Sequence, residues 1–374
     1  MPISPDTLAA MRDKYVVLHE FVRAAKNRLD ANIWDYLVGA TETETTMRRN
    51  RLALDALAFR PRVLRDVSEI DTTATLFGRA VRLPVLLAPV GGLEYMAVGA
   101  NGAVTAAEGA SAFGVPIMLS SVSRPGLEEV AAATGGMKIY QLYVRGDAAF
   151  IDDRIRRALA HGYDAFCLTV DTAIYSRRER DIARRFAKPW RATATGEAQR
   201  HQAALNWDDV KRIRDAHPDL RLVLKGIATA EDALLACQHG VEVVYVSNHG
   251  GRQLDCGRGA IEVLPEVVQA VAGRARVWVD GGFSRGTDIV KALCLGAECV
   301  GLGRLYCYAL AADGAAGVVR MLEILEEEVR CCLGLLGVTS HAGLGPAFVQ
   351  AAMPTNLSHV LSAFPLLRLD DSGY

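Results

Sequence analysis

Eight short, apolar, β-branched runs, at residues 85–90, 116–121, 138–144, 165–171, 220–227, 241–249, 277–282 and 299–304, restrict the architecture of this chain more than any other feature. Between them lie stretches with the apolar spacing of one buried helical face, among them 99–113, 147–161, 229–239 and 285–295. Each is long enough for a right-handed crossover between parallel strands. Eight such units predict an α/β fold closed into a (β/α)8 TIM barrel. The competing architecture, an open doubly wound sheet, needs a glycine fingerprint opening the helix after the first strand, and Ala88-Pro89-Val90-Gly91-Gly92 is a poor version of one.

The 374 residues read as a single domain, with an N-terminal helical extension and loop over 1–80, the barrel over 81–335 and a C-terminal segment over 336–374. Residues 60–66 read as an extended, proline-containing passage. Residues 176–206 are polar and lack a sustained pattern, so they are expected to form a long βα loop, and 358–374 a tail.

A hydrophobic content of 51% supports a large core, and 42 basic residues against 43 acidic ones give no reason to expect a nucleic-acid surface. The eight cysteines have no framework spacing. Cys167, Cys294 and Cys299 sit in apolar runs, adjacent Cys331 and Cys332 cannot easily bridge, and neither a CxxC nor a histidine cluster suggests a metal. The first residues lack the apolar core of a signal peptide and no run approaches the length of a bilayer span, so the expectation is a cytoplasmic protein with no membrane partner.

Polar residues interrupt the apolar runs at their C-terminal ends: Ser120 and Ser121, Gln141 and Tyr143, Thr169 and Asp171, Lys225, His249, Asp280 with Gly281 and Gly282, and Gly303 with Arg304. Buried polar atoms need partners. A ring of them from seven strands reads as the lining of a ligand pocket at the end of the barrel where active sites are built. The string Ser247-Asn248-His249-Gly250-Gly251-Arg252-Gln253-Leu254-Asp255 adds chemistry. An imidazole can accept a hydroxyl proton while a guanidinium three residues on clamps a carboxylate, which suits oxidation of a 2-hydroxy acid. Read alone, the string is also compatible with a solvated glycine-rich turn.

All nine positions of that string match the active-site motif of the FMN-dependent 2-hydroxy acid dehydrogenase and oxidase family, which this chain resembles from Trp34 to the helix beyond Arg304. The resemblance implies FMN as cofactor, His249 as catalytic base, Asp171 as its orienting carboxylate and Tyr143 as a hydroxyl facing the substrate. It implies Tyr36, Arg178 and Arg252 as the groups that bind the substrate carboxylate. Ser120, Gln141, Thr169 and Ser247 would contact the flavin, with Lys225 near its N1 and O2, and Asp280, Gly281, Gly282, Arg285, Gly303 and Arg304 would cradle ribityl and phosphate. Hydride transfer and a carbanion path both suit this set.

Further implications are a small-molecule 2-hydroxy acid substrate, oxygen or a separate electron acceptor, and a homo-oligomer, a tetramer in the family pattern. Val122 stands where glycolate oxidase has a bulky tryptophan, which points to substrates larger than glycolate. Gly91 matches a position beside the flavin that is alanine in typical oxidases and glycine in mandelate dehydrogenase, which points to slow use of oxygen. Two departures concern the phosphate end: Phe283-Ser284-Arg285 replaces a pattern with two arginines, and Leu305 replaces a proline. The unusual stretch 38–43 leaves open an oxidase of a modified peptide or natural product. A non-redox flavin isomerase and a silent flavin-binding protein are the remaining alternatives.

Overall fold

The computed structural model describes residues 3–97, 99–191, 196–355 and 357–368; the end of the expected tail, 369–374, lies outside the described residues. All eight predicted runs are strands: β1 Val85–Leu87, β2 Ile117–Ser120, β3 Lys138–Leu142, β4 Ala165–Thr169, β5 Leu222–Ile227, β6 Val243–Val246, β7 Arg276–Asp280 and β8 Cys299–Leu302. They close into a barrel in the order β7-β8-β1-β2-β3-β4-β5-β6, with parallel neighbours throughout. The fold is a (β/α)8 barrel with surrounding helices.

Several crossover helices begin where a polar side chain accepts from the first turn: Asp147 caps Ala148–Ala160 through Phe150 N (3.0 Å), and Thr229 caps Ala230–Gln238 through Asp232 N (3.2 Å). Inside the barrel, Trp278 and Tyr245 are fully buried with Met118, Ile139, Cys167 and Val223. The hairpin of Ala74–Leu76 and Arg79–Val81 supplies Phe77, whose ring centroid lies 5.4 Å from that of Trp278. The barrel interior is thus a packed core, and ligands are confined to its C-terminal mouth.

The extension comprises helices Pro5–Lys14, Leu18–Arg28, Ala31–Val38 and Thr45–Asp55. The second buries Leu18, Phe21, Val22 and Ala25 and packs on Arg304–Leu336, the long helix after β8. That long helix is apolar and long enough to cross a membrane, contrary to the sequence expectation. Its apolar window is 78% buried in the fold, and a kink at Asp313–Gly314 interrupts its geometry, so it serves here as a core helix. A second correction concerns 176–206. It is largely helical, with Glu179–Ala183, a 3-10 turn at Pro189–Arg191 and Gly196–Ala204, before Trp207–Ala216 completes the crossover.

The extension is pinned to the barrel by charge. Arg51, on Thr45–Asp55, donates from both terminal nitrogens to Asp288 (2.7 and 2.8 Å), and Asp288 also accepts Ser284 N (2.9 Å) and Arg285 N (3.1 Å) at the start of helix Gly286–Cys294. Burial pushes the Asp288 carboxyl up, but Arg51 outweighs it and holds the group below its ordinary value of 3.8. This pair therefore contributes fully above that value and loses its contribution as pH falls through the lower folded value. Because removal breaks a buried pair and leaves Arg51 with only the half-buried Asp55 (2.7 Å) as counter-ion, Asp288→Ala is expected to lower the unfolding free energy by about 3 kcal/mol, the low end for a broken buried pair, in chemical denaturation. A loss within experimental error of zero would show that the extension is anchored elsewhere.

Candidate active site

A cavity of about 210 Å³ opens at the C-terminal mouth of the barrel. His249 borders it on a turn in which three successive residues have positive φ: His249 at 58°, Gly250 at 64° and Gly251 at 77°. A non-glycine residue in that region costs on the order of 1 kcal/mol or more, a strain tolerated where neighbours over-determine the conformation. Here Ser247 Oγ accepts His249 N at 3.0 Å, and Nδ1 of the ring donates to both oxygens of Asp171 (3.0 and 3.2 Å). With the proton on Nδ1, Nε2 is an acceptor, and the Tyr143 hydroxyl donates to it at 3.3 Å. Burial, together with the charges of Lys225 and Arg178, holds the His249 pKa below 6.5 despite Asp171. The imidazole is therefore neutral at ordinary pH. Asp171 stays below its own ordinary value because His249 and Lys225 outweigh the effect of burial.

Gly226 makes the Asp171 position possible. It sits at φ +117° in a register shift of β5, and a Cβ there would lie 2.7 Å from Asp171 Cβ. The Lys225-Gly226 pair thus has one polar and one steric task. Lys225 Nζ donates to Ser247 Oγ (2.8 Å) and pairs with Asp280 Oδ2 at 3.2 Å, while Ser247 Oγ donates to Asp280 Oδ1 at 2.6 Å. Burial opposes the ammonium, but Asp280 and Asp171 hold the Lys225 pKa above its ordinary value.

Tyr36, Arg178 and Arg252 meet as expected. The Arg252 guanidinium carbon lies 4.6 Å from the Tyr36 ring centroid and that of Arg178 lies 6.0 Å away, while the Tyr36 hydroxyl donates to Gly91 O at 3.2 Å. Arg252 Nη1 donates to Tyr36 O (2.6 Å) and Gly39 O (2.8 Å). Its Nη2 and the Nε of Arg178 are buried with no hydrogen-bond partner among the described residues. Burial and the nearby Arg178 lower the Arg252 pKa.

The remaining expected residues divide by position. Lys225, Asp280, Gly281, Gly282, Gly303 and Arg304 border the cavity, whereas Ser120, Gln141, Thr169 and Ser247 are buried behind its lining. Gln141 Nε2 donates to Thr169 Oγ1 (2.9 Å), and its Oε1 has no partner among the described residues. Arg285 is not brought to the cavity. It turns to Glu328 (2.5 Å) and Ala363 O (3.2 Å), and Ser284 borders the cavity instead. Arg304 borders the cavity but donates to Leu37 O (3.1 Å), Gly39 O (2.8 Å) and Gly250 O (3.0 Å), and burial with Arg252 nearby pushes its pKa down to about 10.

Three contributors escaped the sequence reading. Trp190 borders the cavity from the 3-10 turn, Asn50 reaches it from the extension, and Gln202 does so from helix Gly196–Ala204. A large aromatic in a polar segment was the available signal for Trp190. Asn50 and Gln202 offered none. No group of three or more His, Cys, Asp or Glu side chains placed to hold a metal occurs among the described residues.

Residues 25–351 match the family model described as FMN-dependent dehydrogenase. The chain belongs to that family. It is 39% identical over 368 residues to glycolate oxidase 1 of Oryza sativa subsp. indica, covering 93% of this chain and 98% of the relative. L-lactate oxidase of a Nostoc species is 36% identical over 89% of this chain and 97% of its own. A mutant mandelate oxidase solved with (S)-mandelic acid superposes with a TM-score of 0.84 at 40% identity, covering 91% of this chain and 100% of that one.

The residues present fit FMN. The buried Gln141 Oε1 calls for an N–H from a ligand, and Lys225 offers a cation beside Asp280. Gly303 leaves open space at the start of helix Arg304–Leu336, since a Cβ there would meet no atom within 4 Å, and a helix N-terminus favours a phosphate.

Gln202 ties the 176–206 segment to the mouth: its Oε1 accepts Val144 N (2.6 Å) just past β3, and its Nε2 donates to Thr169 O (2.9 Å) at the end of β4. Gln202→Leu would leave both main-chain groups unpaired, at about 1–3 kcal/mol each. Limited proteolysis of the folded protein is expected to nick 176–206 at least roughly ten-fold faster in this variant. Equal rates would show that the segment is held without the latch.

Proposed function

We propose that this enzyme oxidises an (S)-2-hydroxy acid to the 2-oxo acid with His249 as the base. One observation carries the reading. Two guanidiniums, Arg178 and Arg252, each with a buried N–H that has no partner among the described residues, stand at the same cavity as a neutral imidazole whose Nε2 is an acceptor. The names of the relatives, which act on glycolate, lactate and mandelate, support the substrate class.

In this reading Arg252 and Arg178 hold the carboxylate, and His249 Nε2 takes the proton of the 2-hydroxyl. Asp171 stabilises the imidazolium that forms and keeps Nε2 aimed at the cavity. Tyr143, whose pKa burial and Asp171 raise, remains a hydrogen-bond donor to whatever oxygen displaces it from Nε2. Bound FMN supplies the two-electron acceptor for the hydrogen leaving C2, and oxygen or a separate acceptor then takes the electrons. The stretch 38–43 serves this same site through the Gly39 carbonyl, which accepts from both Arg252 and Arg304.

The left-handed backbone at His249 recommends His249→Asn, because asparagine tolerates that conformation. The variant is expected to retain FMN while anaerobic bleaching of the flavin by 2-hydroxy acid slows by about 10²–10⁴-fold. Near-wild-type bleaching would remove His249 from the reaction.

The lowered His249 pKa sets the pH dependence. The base is active when neutral, so activity is present above its pKa and lost as pH falls through it. The acid limb of kcat/KM for flavin reduction by the holoenzyme is expected below the ordinary imidazole value of about 6.5. A limb centred above that value contradicts the assignment.

A further inference from the structure

Of the four directions around the C2 atom of a 2-hydroxy acid, the chemistry proposed above occupies three: carboxylate to Arg178 and Arg252, hydroxyl to His249, hydrogen to the flavin. The fourth direction carries the substrate's side chain, and the lining not yet used includes Gly91, Val122 and Trp190.

Trp190 is set rigidly. Its ring centroid lies 4.7 Å from Tyr36, 5.2 Å from Tyr95 and 6.1 Å from Phe186. The backbone beneath it has given up side chains to admit it. A Cβ on Gly92 would lie 2.8 Å from two carbons of the indole, and a Cβ on Gly91 would lie 2.8 Å from Val122 Cγ2 and 3.7 Å from Trp190 Cδ1. Gly91 thus has a packing reason for being glycine, apart from any effect on oxygen. Tyr36 separates the two functions. The guanidinium of Arg252 stacks on its ring at 4.6 Å, its hydroxyl is tied to Gly91 O, and Trp190 meets the ring at an interplanar angle of 66°.

We propose that Trp190 is a specificity-determining residue, an aromatic wall that makes this enzyme prefer 2-hydroxy acids with an aryl or similarly bulky apolar group on C2. An indole face and a valine present flat apolar surface with no charge, so a phenyl ring gains burial and aromatic contact there, while a methyl group leaves most of the surface uncovered. The substrate class presupposes the 2-hydroxy acid chemistry above, whereas the wall itself does not.

Two measurements on the FMN-loaded protein separate these. The first is the ratio of kcat/KM for (S)-mandelate to that for (S)-lactate in anaerobic flavin reduction. Trp190→Ala is expected to lower this ratio by about ten-fold or more, the scale of discrimination an apolar pocket can supply, and Trp190→Phe to retain most of it. The second is the ratio of dissociation constants of the unreactive acids propionate and phenylacetate, read from the flavin absorbance, which should fall in parallel in Trp190→Ala. An unchanged ratio in both measurements, or an equal loss for both acids, overturns the role of Trp190. A wild-type enzyme reduced by neither hydroxy acid that still favours phenylacetate in a Trp190-dependent way overturns the reaction and leaves the wall standing.

Discussion

The carbonyl groups at the end of helix Ala31–Val38 are held on the barrel mouth by two half-buried arginines, and the site depends on that contact. A helix C-terminus leaves carbonyls without intrahelical partners and carries partial negative charge. Arg252 takes the carbonyls of Tyr36 and Gly39, and Arg304 takes those of Leu37 and Gly39. The pairing satisfies both sides at once, since buried guanidiniums also need acceptors. It brings Tyr36 over the cavity, leaves Arg252 with a free N–H aimed by its other bonds, and makes the extension part of the active site. The Arg51–Asp288 pair fastens the same extension one helix further on, beside the Gly281–Ser284 turn.

Charge at the mouth is matched except where a ligand is needed. Asp171 serves His249, Asp280 serves Lys225, and Asp181 serves Lys188 at 2.6 Å. Arg178, Arg252 and Arg304 have no carboxylate within ion-pair distance among the described residues. Unmatched cations at the cavity are costly, and in the proposed reading an anion that bridges Arg178 and Arg252 relieves part of the cost. Arg178, with Lys225, also helps hold the His249 pKa down, so in the proposed reading one of the two groups that would bind the acid also tunes the base.

Much of this was legible in sequence because a parallel barrel is written in repeated short apolar runs, each ending in a polar residue. All eight strands follow from that pattern and His249 and Arg252 from the motif, whereas the meeting of Asp171, Tyr36 and Arg178 with them was an implication of the family resemblance. Arg285 shows the limit. It and Ser284 are adjacent residues at the start of one helix, and which of them faces the cavity depends on Glu328, a residue 43 positions away. The long helix Arg304–Leu336 escaped because its apolar length is divided by charged residues that are themselves buried, Arg320, Glu323 and Glu326. The helices within 176–206 escaped because they are short and carry few apolar residues, so periodicity had nothing to register.

That segment gathers several of the groups at the mouth onto one stretch of chain. It carries Arg178 over the Tyr36 and Tyr175 rings, Lys188 over the same rings, Trp190 against Gly91 and Gly92, and Gln202 bridging β3 and β4. Displacing it removes a cation, an apolar wall and part of the cavity lining together. In the proposed reading an acid with an apolar group on C2 contacts two side chains of this one segment, Arg178 and Trp190, whereas a small acid contacts Arg178 alone.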